Sequence, residues 1–324
     1  MSTKAQKVVA EDLAESTRTI RRVVDSIASV IFGKREAIEN IVAAMLARGH
    51  VLLEDVPGVG KTMMARALAR SIDADFKRIQ FTPDLLPADV TGSSIFNQKT
   101  NEFSFKPGPV FTNILLADEI NRTSPRTQSA LLEAMEERQV TADGKTYPLP
   151  DLFFAIATEN PIEHTGTYDL PEAQLDRFLI RQKIGYPTNA QEVDIMDAQK
   201  LVHPIESVTA VIDPVRILEL QEAVKRVHIS DSLKKYLVRI VSVTRDHPDV
   251  LVGCSIRGSL GVMRMAQAKA LVEGAEFVTP DYIKSVAPLV LAHRLVLLPE
   301  AQLSGVSQVG VIDSIVKKIP VPSE

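Results

Sequence analysis

The run Gly58-Val59-Gly60-Lys61-Thr62, with Asp55-Val56-Pro57 before it, carries the residue types that a phosphate group needs. Glycines at 58 and 60 let the backbone turn its N–H groups inward without Cβ atoms in the way. A helix opening at Lys61 would aim its positive end at the same anion. Lys61 adds a mobile positive charge for β- and γ-phosphates, and the Thr62 hydroxyl suits Mg²⁺. Pro57, Val59 and Met63, in and beside the loop, join these as candidate nucleotide contacts. The full phosphate-loop pattern has a further glycine where Asp55 stands. A carboxylate facing a triphosphate would be repelled, so Asp55 is expected to point away from it.

A second chemical signal is the run Ile114-Leu115-Leu116-Ala117-Asp118-Glu119, an acidic pair ending an apolar strand. Asp118 at the strand's carboxyl end can hold Mg²⁺, largely through water. Glu119 can then polarise an attacking water as general base. An Asp-Glu dipeptide alone carries no information; beside a phosphate loop it separates a hydrolase from a phosphate-loop kinase. None of the six histidines pairs at metal-ligand spacing, so the only metal expected is Mg²⁺ with the nucleotide.

These groups need a scaffold to bring them together. Residues 50–54, 77–81, 113–117 and 152–157 are short apolar runs, with helical patterns between most of them. Alternation of this kind predicts a mostly parallel sheet covered on both faces. Upstream, Leu13, Ile20, Val24 and Ile27, then Ile38, Ile41, Val42 and Met45, recur at helical spacing. Residues 94–105 and 140–149 read as two hairpins inserted into this core, the second turning at Asp143-Gly144. After Gly185-Tyr186-Pro187 strand signals fade. Ser230 and Thr279-Pro280-Asp281 are helix starts, and the remainder reads as helical. The expected organisation is an α/β nucleotide-binding core over 1–185 with N-terminal helices and two hairpins, then a smaller all-α lid domain over 186–324.

Composition is that of an ordinary soluble globular protein, with 45% apolar and 24% charged residues. Net charge is −4 and no basic stripe is visible, which argues against nucleic acid as the partner. No run reaches about 18 apolar residues, and the polar N-terminus lacks a signal-peptide core; a cytoplasmic protein is expected. The single cysteine, Cys254, excludes an internal disulfide and reads as packing.

In order and over roughly residues 30–300, the chain resembles the AAA+ ATPases, specifically the MoxR family. The resemblance rests on the run from Glu54 to Thr62 and on Asp118-Glu119-Ile120-Asn121-Arg122. It continues through residues 127–135 and Ala157-Thr158-Glu159-Asn160-Pro161. Last come residues 170–178 and Gly253-Cys254-Ser255-Ile256-Arg257-Gly258. It implies an AAA+ core with a parallel sheet between helices, a helical lid, and ATP with Mg²⁺ as cofactors. Asn160 resembles sensor 1, an amide that helps orient the attacking water; the family more often has Gln where Glu159 stands. Arg177 resembles the arginine finger that reaches a neighbouring subunit's γ-phosphate, and its alternative is an ion pair with Asp176 or another local acid. Arg257 resembles sensor 2, at the start of a lid helix, and Ile31-Phe32-Gly33 the segment that packs near adenine. Arg122 and Arg126 would serve the subunit interface or decorate an exposed helix start. The two hairpins resemble inserts facing the pore or one face of a ring.

The resemblance implies an ATP hydrolase that works as a homo-oligomeric ring, six subunits by family default. Its task would be chaperone-like remodelling, assembly or maturation of partner protein complexes, metal insertion included, beside a von Willebrand factor A domain partner. Two alternatives differ in class. A nucleic-acid motor is disfavoured by the charge pattern, and a non-hydrolysing switch or scaffold by the intact Lys61, Asp118, Glu119 and Asn160.

Overall fold

A computed structural model describes residues 3–99, 101–160, 168–200 and 204–322. Two helices open the chain, α1 (Thr3–Ala28) and α2 (Arg35–Leu46). β1 (Val51–Glu54) runs through the glycine loop into α3 (Lys61–Ser71), and β2 (Phe76–Gln80) follows. A short helix, α4 (Pro87–Thr91), leads into the first hairpin, β3 (Gly92–Asn97) and β4 (Glu102–Pro107). Next come β5 (Ile114–Asp118) and α5 (Pro125–Glu137). The second hairpin, β6 (Gln139–Ala142) and β7 (Lys145–Pro148), precedes β8 (Phe154–Glu159). The short α6 (Glu172–Leu175) and β9 (Ile180–Gln182) follow. Beyond them lie α7 (Asn189–Ala198), α8 (Pro214–Val224), α9 (Asp231–Val243) and β10 (Val250–Val252). α10 (Ile256–Glu273), α11 (Pro280–Leu291), β11 (Val296–Leu297), α12 (Pro299–Leu303) and α13 (Gln308–Lys318) complete it.

All four anticipated runs become strands of one parallel sheet, ordered β2-β5-β8-β1-β9. β9 was not anticipated; three residues with two polar side chains give almost no periodic signal. Alternate residues serve opposite faces, as the pleat requires. Leu52, Leu115, Ala117, Ala155 and Ala157 pack with Leu131, Leu132 and Met135 of α5. Val51, Leu53, Ile114, Leu116, Phe154 and Ile156 face the other way, toward α1, α2 and α3. That second core runs on without a break into α8 to α11. His50 is a packed core histidine at the head of β1. Its ring accepts from Ala155 N at 3.0 Å and meets the Met135 carbonyl at 3.2 Å, and burial first, then Arg138, lowers its pKa to about 4.

The second half is helical, as expected, with the antiparallel pair β10–β11 added to it. Ser230 caps α9 by accepting from Leu233 N, and Pro280 opens α11. α1 ties the halves together. Thr17 Oγ1 donates to Leu271 O and Arg21 Nη2 to Glu273 O, both on α10 and both at 3.0 Å. Ser26 meets Ser71 of α3 at 2.8 Å. Cys254 is buried, its thiol 3.5 Å from the Leu291 carbonyl, and burial raises its pKa to about 11. It is a packing thiol.

Candidate functional site

β1 delivers the glycine loop at the carboxyl edge of the sheet, and α3 begins at Lys61. Gly58 and Gly60 have φ of 85° and 95°, and a Cβ added to either would meet nothing within 4 Å. The space before the loop is therefore a cradle that side chains would fill. Asp55 turns away from it. Its Oδ2 accepts from the amides of Ile184 at 2.8 Å and Gly185 at 2.6 Å, and Oδ1 from Val56 N at 3.0 Å. The aspartate thus pins the loop's entry to the chain leaving β9. Lys61 Nζ donates to Asp55 O at 2.6 Å and Glu159 O at 3.4 Å. Burial lowers its pKa, against the opposing pull of Asp118, Asp55 and Glu119.

The strand order sets β8 between β1 and β5. Asn160, just past β8, therefore stands between the glycine loop and the acidic pair. Thr158 couples the two strand ends: its Oγ1 donates to Asp118 Oδ1 at 2.6 Å and accepts from Glu119 N at 2.8 Å. Glu119 has φ of 58°, and its Oε2 accepts from Gln80 Nε2 at 2.8 Å and Arg122 Nη1 at 3.0 Å. Arg78 donates to Asp118 Oδ2 through Nε at 3.0 Å and Nη2 at 2.6 Å. One cavity of about 370 Å³ collects Pro57, Gly58, Gly60, Lys61, Thr62, Met63, Arg78, Asp118, Glu119 and Asn160. One carboxylate and one hydroxyl suit Mg²⁺, which prefers to keep water and phosphate oxygens in its shell.

A second cavity of about 180 Å³ shares Gly58, Gly60 and Met63 with the first. Val59, Ile31 and Phe32 line it, with Pro187, Ile195 and Pro204 from the second half of the chain. An apolar slot beside a phosphate cradle has the division of a nucleotide. The sequence pointed to Ile31 and Phe32; the partners beyond residue 186 have no local signature.

Arg257 lies elsewhere. It was expected at the nucleotide, but it lines neither of these cavities. It lines a third, of about 410 Å³, with Arg48, Arg138, Arg177, Arg264 and Arg294. Glu136 holds Arg177 there, Oε2 to Nε at 3.2 Å, and pairs with Arg257 through Oε1. Asp176 instead binds the buried Arg294 at 2.7 Å. The local-acid alternative for Arg177 is thus realised with Glu136, not Asp176. Arg257 stays away from the glycine loop because its cavity is lined by Gly49 and His50, at the opposite end of β1, and the helix it begins, α10, packs against α2, α9 and α11. Arg126 is exposed at the start of α5, and Pro161 lies outside the described residues.

Sequence reasoning assigned no role to Arg78, Gln80, Thr158, Glu136 or Arg181. Arg78 and Gln80 sit two apart on β2, and the register sets Gln80 against Asp118. Their alternation marks one polar face of the strand, but that this face meets the acidic pair follows only from the β2–β5 pairing.

Glu54 and Glu159 are register partners on β1 and β8, with Arg181 3.4 Å from Glu54. Burial first, then Glu54, raises the Glu159 pKa to about 7, while Arg181 opposes the shift. A raised carboxyl pKa means the folded chain binds more protons, so stability falls as pH rises from about 4.5 to about 7. Glu159→Gln should remove that slope. Its melting temperature should match wild type below about pH 4.5 and exceed it at pH 8, where the stability difference reaches about 3 kcal/mol. Equal pH profiles for the two chains would show that Glu159 titrates normally.

Residues 50–180 match the model of the ATPase family associated with various cellular activities (AAA), and residues 242–315 that of the AAA lid domain. The YeaC protein of Bacillus subtilis is 55% identical over 93% of this chain and 94% of its own length. Chaperone MoxR1 of Mycobacterium tuberculosis is 40% identical, over 97% of this chain and 85% of its own. A crystal structure of a candidate ATPase from Cytophaga hutchinsonii superposes with a TM-score of 0.91 at 38% identity, covering 98% of this chain and 99% of that one. The chain belongs to the MoxR family of AAA+ ATPases.

Proposed function

We propose that the chain hydrolyses ATP and uses the energy to remodel, assemble or mature partner protein complexes. One observation carries the hydrolytic reading: a single cavity joins Lys61, Thr62, Asp118, Glu119 and Asn160. In this reading the amides around Gly58 and Gly60 and the N-terminus of α3 bind the phosphates, and Lys61 moves from its carbonyl partners onto the β- and γ-oxygens. Ile31, Phe32 and Val59 receive the base. Thr62 and Asp118 would hold Mg²⁺, which supplies charge neutralisation at the phosphates. Glu119 takes a proton from water, and Asn160 orients that water.

The working unit is a homo-oligomeric ring, a hexamer by family default. One described feature supports this. Arg177 and Arg257 share a cationic cavity that has no lining residue in common with the phosphate cavity of the same chain. Both arginines are thus suited to a neighbour's γ-phosphate, and Arg122 and Arg126 to the contact around it. We place the boundary between core and lid near residue 186. Clients are protein complexes, with a von Willebrand factor A domain protein as the partner class and metal-cofactor insertion as one form of maturation. The name of the mycobacterial relative, a chaperone, supports this over a nucleic-acid motor. Among the described residues no helix is long and apolar enough to cross a membrane, in keeping with a cytoplasmic site of action.

Turnover per chain should rise steeply with protein concentration and remain unchanged by single-stranded DNA. Strong stimulation by DNA would favour the motor, and binding of ATP without turnover at any concentration would favour a switch.

A further inference from the structure

Arg78 belongs to neither of the sequence motifs, yet its guanidinium enters the phosphate cavity and takes one oxygen of Asp118 through two N–H groups. The other oxygen is already held by Thr158. Asp118 is nearly buried, its side chain 11% exposed, whereas that of Arg78 is 45% exposed. A buried carboxylate without a partner is costly; Lys61 acts on Asp118 from across the cavity but donates to backbone carbonyls, which leaves Arg78 as the cation in direct contact with it. The same carboxylate is the one placed to face Mg²⁺. A guanidinium at 2.6 and 3.0 Å competes with that role for the lone pairs of Oδ2. Arg78 has somewhere else to go. Its Nη2 already shares Gln80 Oε1 at 2.5 Å, on the same edge strand β2, a contact it can keep while its 45% exposed side chain swings toward water.

We propose that Arg78 is the metal's stand-in: without Mg²⁺ its guanidinium neutralises Asp118, and it yields that carboxylate when Mg²⁺ arrives with the nucleotide. The exchange keeps one positive partner on Asp118 throughout, and it makes metal loading a competition between two cations. This rests on the nucleotide-site reading above.

The test is calorimetric binding of ADP to the full chain, in Mg²⁺ and in EDTA, for wild type, Arg78→Ala and Arg78→Lys. With the competitor gone, Arg78→Ala should bind ADP with Mg²⁺ about tenfold tighter than wild type, the scale of one charge-assisted hydrogen bond. In EDTA the two should agree within about twofold. Without ligand Arg78→Ala should melt below wild type, and Mg²⁺ with ADP should close the gap. Arg78→Lys keeps a point charge and should return both readouts toward wild type. If Arg78→Ala weakens ADP binding equally with and without Mg²⁺, Arg78 holds phosphate and the proposal fails. An unchanged ratio of the two affinities would make it a merely structural pair. Should wild type bind no ADP in either buffer, the nucleotide reading itself falls, an outcome distinct from both.

Discussion

Arg177→Ala should lower ATP turnover by about 10³–10⁵-fold while ATP still binds, because a trans-supplied arginine contributes on that scale in other NTPases. The expectation follows from where the side chain is. Arg177 is anchored by Glu136 in the cavity that also holds Arg257, and the lining of that cavity shares no described residue with the cradle at Gly58–Gly60. In its own chain its cavity has no lining residue in common with the phosphate cavity; in the proposed ring it would face the neighbour's phosphates. The decisive measurement is therefore a mixture. A Glu119→Gln chain keeps Arg177 but lacks the base, and an Arg177→Ala chain keeps the base but lacks the arginine. Each alone should be inactive, and mixing them should restore turnover at interfaces that join the two intact halves. No recovery on mixing would leave Arg177 as a structural partner of Glu136. Melting curves separate that outcome from unfolding, since loss of a partly exposed ion pair costs on the order of 1 kcal/mol.

The second large effect is Glu119→Gln itself. Turnover should fall by about 10²–10⁴-fold, the usual worth of a general base, with ATP affinity retained. Geometry favours a clean result. Gln and Glu are isosteric, and the contact that Oε2 makes with Gln80 Nε2 at 2.8 Å can pass to the amide oxygen. The backbone link from Glu119 N to Thr158 also remains, so Asp118 keeps its orientation. The variant should stay in its ATP-bound form and retain clients long enough to be captured. Turnover near the wild-type rate would remove Glu119 from its role and turn attention to other acids near the γ-phosphate.

Much of this was legible along the chain because the signals are local. A glycine that must take positive φ, a lysine at a helix start and an acidic pair closing an apolar strand are each readable within a few residues. The alternation of Val51, Leu52 and Leu53 between two cores, and the helix starts at Ser230 and Pro280, are also local. Even the departure at Asp55 was interpretable, since electrostatics forbade it one direction. What it turned to, the amides of Ile184 and Gly185, depended on β9, a strand too short and polar to announce itself.

By itself, then, the sequence located the phosphate loop, the acidic pair, Asn160 and the helical second half. Tertiary structure alone decided which groups meet. It set β8 between β1 and β5, so that Thr158 orients Asp118 and Asn160 stands beside the loop. It brought Arg78 onto Asp118 across a register known only once β2 pairs with β5. It carried Arg257 away from the loop to share Glu136 with Arg177. Backbone conformation and capping are short-range preferences written in neighbouring residues. Strand order and helix docking depend on how distant apolar faces share one core, which no local run of residues encodes.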